Sequence, residues 1–135
     1  MKALLAAIVL ACLSLFPAQA DDAAEIRAVI EDQIEAFRTD DGARAFGHAS
    51  PGIQARFGTP DTFMTMVETS YPQVYRPRIV EFQKLEQGNG LTVQEVFFFG
   101  QKGSAVIGRY CMQRNTEGVW KICGVDLKHA PQLGA

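Results

Sequence analysis

Residues 91–114 run Leu91-Thr92-Val93-Gln94-Glu95-Val96-Phe97-Phe98-Phe99, then Gly100-Gln101-Lys102-Gly103, then Ser104-Ala105-Val106-Ile107-Gly108-Arg109-Tyr110-Cys111-Met112-Gln113-Arg114. Two stretches dense in Val, Ile, Phe and Tyr flank a loop bounded by glycines, which is the mark of a β-hairpin. The pattern extends both ways. Gln87-Gly88-Asn89-Gly90 and Asn115-Thr116-Glu117-Gly118 are further hairpin loops. Residues 78–86, 91–99, 104–114 and 119–127 are therefore predicted to form a four-stranded antiparallel meander. The tail from Lys128 to Ala135 carries no pattern and is expected to fray.

Upstream of the strands the apolar period is helical. Ile26, Val29, Ile30, Ile34 and Phe37 recur at three- and four-residue steps and predict a helix over 22–39. Asp22 can cap its start with Glu25 three residues on, and Arg27 and Glu31 sit one turn apart on its polar side. Asp40-Asp41-Gly42 breaks it, and a short second helix over 43–49 is anchored by Phe46. Ser50-Pro51-Gly52 is a turn signal, followed by a connection over 53–58. Thr59-Pro60 starts a third helix, with Thr59 as cap, Pro60 at the first position and Phe63, Met66, Val67 and Tyr71 as its apolar stripe. Pro72 ends it. Helices followed by a meander make an α+β domain, with three N-terminal helices covering one face of a four-stranded sheet over residues 21–127.

The first residues carry a different message. Met1-Lys2 is a short positive start, Ala3 to Phe16 is uncharged and apolar, and Pro17 precedes Ala18-Gln19-Ala20. That layout is a secretory signal peptide cleaved after Ala20, and the apolar run is too short to span a membrane. Cleavage leaves 115 of 135 residues and moves the formal charge from −2 to −3 through loss of Lys2. A mildly acidic chain with scattered Lys and Arg has no electrostatic reason to bind nucleic acid; its densest basic spot is Arg76-Pro77-Arg78. The expected location is the periplasm or the outside of a bacterial cell. A lipid-bearing Cys12 would tether the domain, but the apolar run continues past it through Leu13, Leu15 and Phe16. The mature chain then has two cysteines, Cys111 and Cys123, and an oxidising compartment favours one disulfide between them.

Several stretches carry a family likeness. Ile26-Arg27-Ala28-Val29-Ile30, Ala49-Ser50-Pro51-Gly52-Ile53-Gln54, Phe57-Gly58-Thr59-Pro60 and Tyr75-Arg76-Pro77-Arg78 are similar to the secreted bacterial family catalogued as domain of unknown function 4864. The element order, closing on Gly118-Val119-Trp120-Lys121-Ile122, resembles the NTF2-like, cystatin-related superfamily of cone-shaped α+β domains. The resemblance covers nearly all of the mature chain. It implies a curved sheet wrapped over the helices and a cone that can hold a pocket, and it carries no activity over. Some cones of that superfamily are ketosteroid isomerase-like enzymes or dehydratases.

Strand register decides what faces the cone. A four-residue Gly100–Gly103 loop sets Phe99 against Ser104, Phe97 against Val106, Glu95 against Gly108 and Val93 against Tyr110. In the last hairpin, Arg114 opposite Trp120 sets Met112 against Ile122, Cys111 against Cys123 and Tyr110 against Gly124. Arg114 opposite Val119 would flip every side chain. The first register is favoured because it gathers Val93, Phe97, Phe99, Val106, Tyr110, Met112, Trp120 and Ile122 on one face. Thr92, Gln94, Arg109, Gln113 and Lys121 then face out. Val96, Phe98, Ile107 and Val125 break the contrast, so the outer face is expected to be partly covered.

This register puts Glu95, Gly108 and Asp126 in one inner row, the glycine leaving a gap between two acids. A second gap falls at Gly124 beside Tyr110. A carboxyl group in an apolar cone has a raised pKa and can serve as general acid or base, so Glu95, Asp126 and Tyr110 are the catalytic candidates. The competing expectation is a structural pair with a cation such as Arg56 or Arg76. The predicted pocket lining is Tyr71, Val93, Phe97, Val106, Gly108, Tyr110, Met112, Trp120, Ile122 and Gly124. His48 and His129 stand apart without ligand spacing, so no metal is expected. Gly88-Asn89-Gly90 is a turn and no phosphate loop or nucleophile elbow is present, so no cofactor is expected.

Three functions follow in order. The first is a non-catalytic domain binding a small ligand or protein partner in its cone. The second is an acid/base enzyme using Glu95 or Asp126. The third is an accessory module that forms a homodimer through the outer face around Phe98, Ile107 and Val125.

Overall fold

The computed structural model describes residues 18–130. Residues 1–17, which hold most of the predicted signal peptide of residues 1–20 and Cys12, and the last five residues lie outside the described residues. Five helices precede four strands: α1 (Ala18–Arg38), α2 (Gly42–Gly47), α3 (Pro51–Phe57), α4 (Pro60–Ser70), α5 (Pro72–Tyr75), β1 (Pro77–Gly88), β2 (Leu91–Gly100), β3 (Ala105–Arg114) and β4 (Trp120–His129). The strands form one antiparallel sheet in the order β1-β2-β3-β4. The fold is α+β, with a helical layer over one face of the meander.

The three predicted helices are α1, α2 and α4. The connections between and after them hold two more short helical segments. Residues 53–58 are not a plain connection: the Ser50 side chain accepts from Ile53 N, Pro51 occupies the first turn, and α3 runs to Gly58 at φ 77°. This is the same Ser/Thr-Pro start that Thr59-Pro60 gives α4. Pro72 closes α4 and opens the four-residue α5. The C-terminal tail is ordered further than expected. His129 pairs with Val106, and Ala130 N donates to the Ala105 carbonyl at 3.0 Å.

The register of β2 against β3 differs from the predicted one by a residue. Gly100 N donates to the Ser104 carbonyl, so the loop is only Gln101-Lys102-Gly103, with Gly103 at φ 77°. Phe99 faces Ala105, Phe98 faces Val106, Val96 faces Gly108 and Glu95 faces Arg109. Hence Val96 and Phe98 are fully buried under the helices, while Val93, Phe97 and Phe99 stand on the outer face. The two residues that broke the predicted alternation are core residues. Gln94 also turns inward, where its Nε2 donates to the carbonyls of Gln83 and Glu95 at 3.0 and 2.9 Å and ties down the irregular β1 stretch between Phe82 and Leu85.

The last hairpin starts in the favoured register: Arg114 faces Trp120 and Met112 faces Ile122. A bulge then inserts Cys123, and from there Cys111 faces Gly124, Tyr110 faces Val125 and Arg109 faces Asp126. Cys111 and Cys123 form a disulfide with Cα atoms 5.0 Å apart. At this bulge the α2–α3 linker adds a short parallel pairing. Ser50 N donates to Ile122 O at 2.8 Å, and Ile122 N to His48 O at 2.9 Å. That pairing fixes α3 over the free edge of β4.

Candidate ligand-binding cavity

A cavity of about 430 Å³ opens between α1, α3 and α4 above the bulged part of β4. Its walls follow from helix periodicity. α1 supplies Gln33 and Phe37, α3 supplies Ile53, Arg56 and Phe57, and α4 supplies Phe63, Met66, Val67 and Ser70, followed by its C-cap Tyr71. From the sheet come Tyr110, Ile122, Cys123, Gly124 and Val125. Phe63 is the hinge of the aromatic wall, with ring centroids 6.2, 5.3 and 5.9 Å from those of Phe37, Phe46 and Phe57. The bulge matters here: its residues Cys123 and Gly124 border the cavity, and the disulfide ties Cys123 to Cys111 on β3.

The polar groups are few and unequal. Tyr71 Oη donates to the Val125 carbonyl at 3.2 Å, joining α4 to β4 across one end. Gln33 is buried and donates Nε2 to the Ala45 carbonyl at 3.1 Å. Tyr110 is 0 % exposed, and its hydroxyl has no hydrogen-bond partner among the described residues. Burial drives its pKa far above the usual phenol value, so it is a neutral potential donor behind the cavity floor. Among the described residues Arg56 is the only ionisable lining residue besides the tyrosines and Cys123, which is locked in the disulfide. It is exposed, and its guanidinium carbon lies 5.6 Å from the Phe57 ring centroid.

A family model described as a domain of unknown function (DUF4864) matches residues 19–135. The chain belongs to the DUF4864 family. No curated protein and no solved structure matches it.

In this DUF4864 domain the two candidate acids share a row, but not the predicted one. Both hairpins are displaced by one residue at that level, so Glu95 and Asp126 flank Arg109 instead of Gly108, on the outer face. Arg109 Nη1 donates to Glu95 Oε1 at 2.7 Å, with Glu86 3.8 Å from the same guanidinium. Asp126 is exposed. Neither acid lines the cavity, and the cation that pairs with Glu95 is Arg109. Gly108 is inward-facing beneath two rings: a Cβ there would meet Phe98 Cε2 at 3.1 Å and Tyr110 Cε2 at 3.2 Å.

Of the predicted lining, Tyr71, Tyr110, Ile122 and Gly124 border the cavity. Val106, Met112 and Trp120 are packed in the core beside it. Val93 and Phe97 stand on the opposite face of the sheet, because β2 is flipped. Phe98 and Val125, expected outside, face in, and Ile107 faces out. His48 caps the end of α2, its Nε2 2.5 Å from Asp32 Oδ2, and Arg44 Nε donates to the same carboxylate at 3.0 Å. This triad ties α2 to α1, and Arg44 first, then His48, holds the Asp32 carboxyl far below its usual range. Among the described residues no three His, Cys, Asp or Glu side chains gather as a metal site.

Gln33, Arg56, Phe57 and Met66 complete a site that the strand pattern alone did not indicate. Gln33 carried a signal: it is the polar residue within the Ile26, Ile30, Ile34, Phe37 stripe. Arg56 and Phe57 carried none while 53–58 was read as a connection.

Proposed function

We propose that this DUF4864 domain is an exported, non-catalytic module that binds a small, mostly apolar molecule in the cavity between α1, α3, α4 and β4. The observation that carries this reading is the cavity itself. Its volume of about 430 Å³ lies within the roughly 300–1,000 Å³ usual for small-molecule sites, and its wall is aromatic and aliphatic with a few placed polar groups. The helix-over-sheet layout is compatible with the NTF2-like architecture that the sequence resembles. Export is supported by the Cys111–Cys123 disulfide, which belongs in an oxidising compartment, together with the signal-like residues 1–20. Among the described residues no helix is long and apolar enough to cross a membrane.

The acid/base alternative requires a carboxyl group in the cavity, and among the described residues the lining contains no Asp or Glu. Saturable binding of N-phenyl-1-naphthylamine, a neutral apolar dye, tests the ligand reading. One site per chain is expected in the wild type and a loss of at least about tenfold in affinity in Met66→Trp, which puts a bulkier ring into the cavity wall and narrows it. Equal dye binding by the two proteins, or none by the wild type, would refute it.

A second reading concerns the outer face. Ile79 is 46 % exposed there, and Val93, Phe97, Phe99 and Ile107 extend the apolar strip across three strands. A second copy of the chain is the occupant this reading favours, since the central Glu95–Arg109 pair offers each copy both signs of charge. Light scattering that gives the mass of one chain at tens of micromolar would remove it.

A further inference from the structure

We infer that the cavity takes an amphipathic anion, a molecule with an apolar body and a single carboxylate or comparable acidic head, with the head at Arg56 and the body against Phe57, Phe63, Met66 and Val67. This inference rests on the ligand-binding reading and adds the chemistry of the ligand.

The charge of the site is one-sided. Among the described residues no Asp, Glu or His lines the cavity, and Arg56 is its one cation. Six of the eight arginines in the chain, Arg27, Arg38, Arg44, Arg76, Arg109 and Arg114, make ion pairs with carboxylates. Arg56 makes none among the described residues, and only Arg78, set beside the outer-face Phe99 ring, shares that condition. The position of Arg56 is set by structure. It lies in the last turn of α3, which Gly58 terminates and the Ser50–Ile122 pairing seats over β4. Its guanidinium sits beside Phe57, whose ring is part of the cavity wall.

A guanidinium edged by an apolar wall favours a head that can accept two parallel N–H donors while its tail is desolvated. A cationic head would meet Arg56 with no carboxylate to offset it. A neutral alcohol would gain only one weaker hydrogen bond. The wall beyond is apolar, so the tail needs no further charge.

The test is displacement of N-phenyl-1-naphthylamine from the purified protein by octanoate, 1-octanol and octylammonium, which share a chain and differ in head charge. Octanoate is expected to bind about tenfold tighter than octanol, with octylammonium weakest. Arg56→Gln should bring octanoate down to the level of octanol, while octanol itself, which loses one weak hydrogen bond, should fall by no more than about threefold. Arg78→Gln, which alters net charge equally, should keep the tenfold ratio. Equal binding of octanoate and octanol by the wild type, or a ratio that survives in Arg56→Gln, would overturn the anion assignment and leave the cavity reading standing. Loss of the ratio in Arg78→Gln as well would trace the preference to net charge and overturn it too. Failure of the dye and all three alkyl compounds to bind would overturn the cavity reading and this inference together.

Discussion

Replacing Tyr110 by Phe should stabilise the protein, against the usual direction for a core substitution. The Tyr110 hydroxyl is fully buried without a hydrogen-bond partner among the described residues. An unpaired buried polar group of this kind costs about 1–3 kcal/mol of desolvation. Phenylalanine keeps the ring against Phe98, whose centroid lies 6.3 Å away, and removes only the oxygen. The small void left behind offsets part of the gain, so a net increase of about 1 kcal/mol is expected in urea unfolding at 25 °C. For a domain of this size that is a rise of roughly 4 °C in Tm. The pH dependence gives a second readout. Burial keeps the phenol neutral in the folded protein well beyond its ordinary pKa of 10.0. Below pH 10 both states hold the proton and the term is constant. Above pH 10 the unfolded chain releases the proton and the folded chain does not, so stability falls by up to about 1.4 kcal/mol per pH unit. Tyr110→Phe should lack that share of the alkaline loss, while the contribution of Tyr75, raised by its hydrogen bond to Asp40, cancels between the two proteins. A variant less stable than wild type by about 1 kcal/mol, with an unchanged alkaline slope, would refute the orphan hydroxyl.

The disulfide closes a sequence separation of 12 residues, for which chain entropy predicts about 3 kcal/mol at most, so Cys111→Ala/Cys123→Ala should lower the unfolding free energy by about 2–3 kcal/mol. Thiol titration of the unfolded wild type should find neither of these cysteines free, and two free thiols would contradict the pairing. Gly108→Val should cost about 2–3 kcal/mol in the same urea assay, because the added carbons meet the immobile Phe98 and Tyr110 rings; a change under about 0.5 kcal/mol would show that the rings can move. Asp32→Asn removes a carboxyl held below its ordinary 3.8 by Arg44 and His48. The native carboxylate stabilises the fold above that ordinary value and loses its effect as pH falls below it, so the gap between wild type and variant should narrow on acidification from about pH 6 to pH 2. A gap independent of pH would sink that assignment.

The α+β layout was legible because periodicity changes from helical to strand-like after Pro77, and because glycine-bearing loops separate the strands. The disulfide was legible from the two cysteines left in the expected mature chain, close together across a well-marked turn, although the bulge sets Gly124 rather than Cys123 opposite Cys111. The cavity face was harder. A four-residue loop and a three-residue loop with a left-handed Gly103 are both consistent with Gly100-Gln101-Lys102-Gly103, yet they place β2 on opposite faces. The buried Val96 and Phe98 were the signal for the shorter loop. The Cys123 bulge left no sequence signal, since a bulge depends on what packs beside it, here the Ser50–Ile122 pairing. Together the two displacements kept Glu95 and Asp126 in register with each other while exchanging Gly108 for Arg109 between them. An apparent acid pair in the cone thus became a charge row on the outside. α3 was hidden by treating Pro51 as a turn residue, although the Ser-Pro pair matches the Thr-Pro start of α4.

Methyl-resolved NMR titration with octanoate tests ligand binding in the cavity most directly. Saturable shifts are predicted for Ile53, Met66, Val67, Ile122 and Val125, which line the cavity, with Ile79 and Ile107 on the outer face unmoved. Shifts confined to Ile79 and Ile107, or no saturable shift at any methyl, would contradict it.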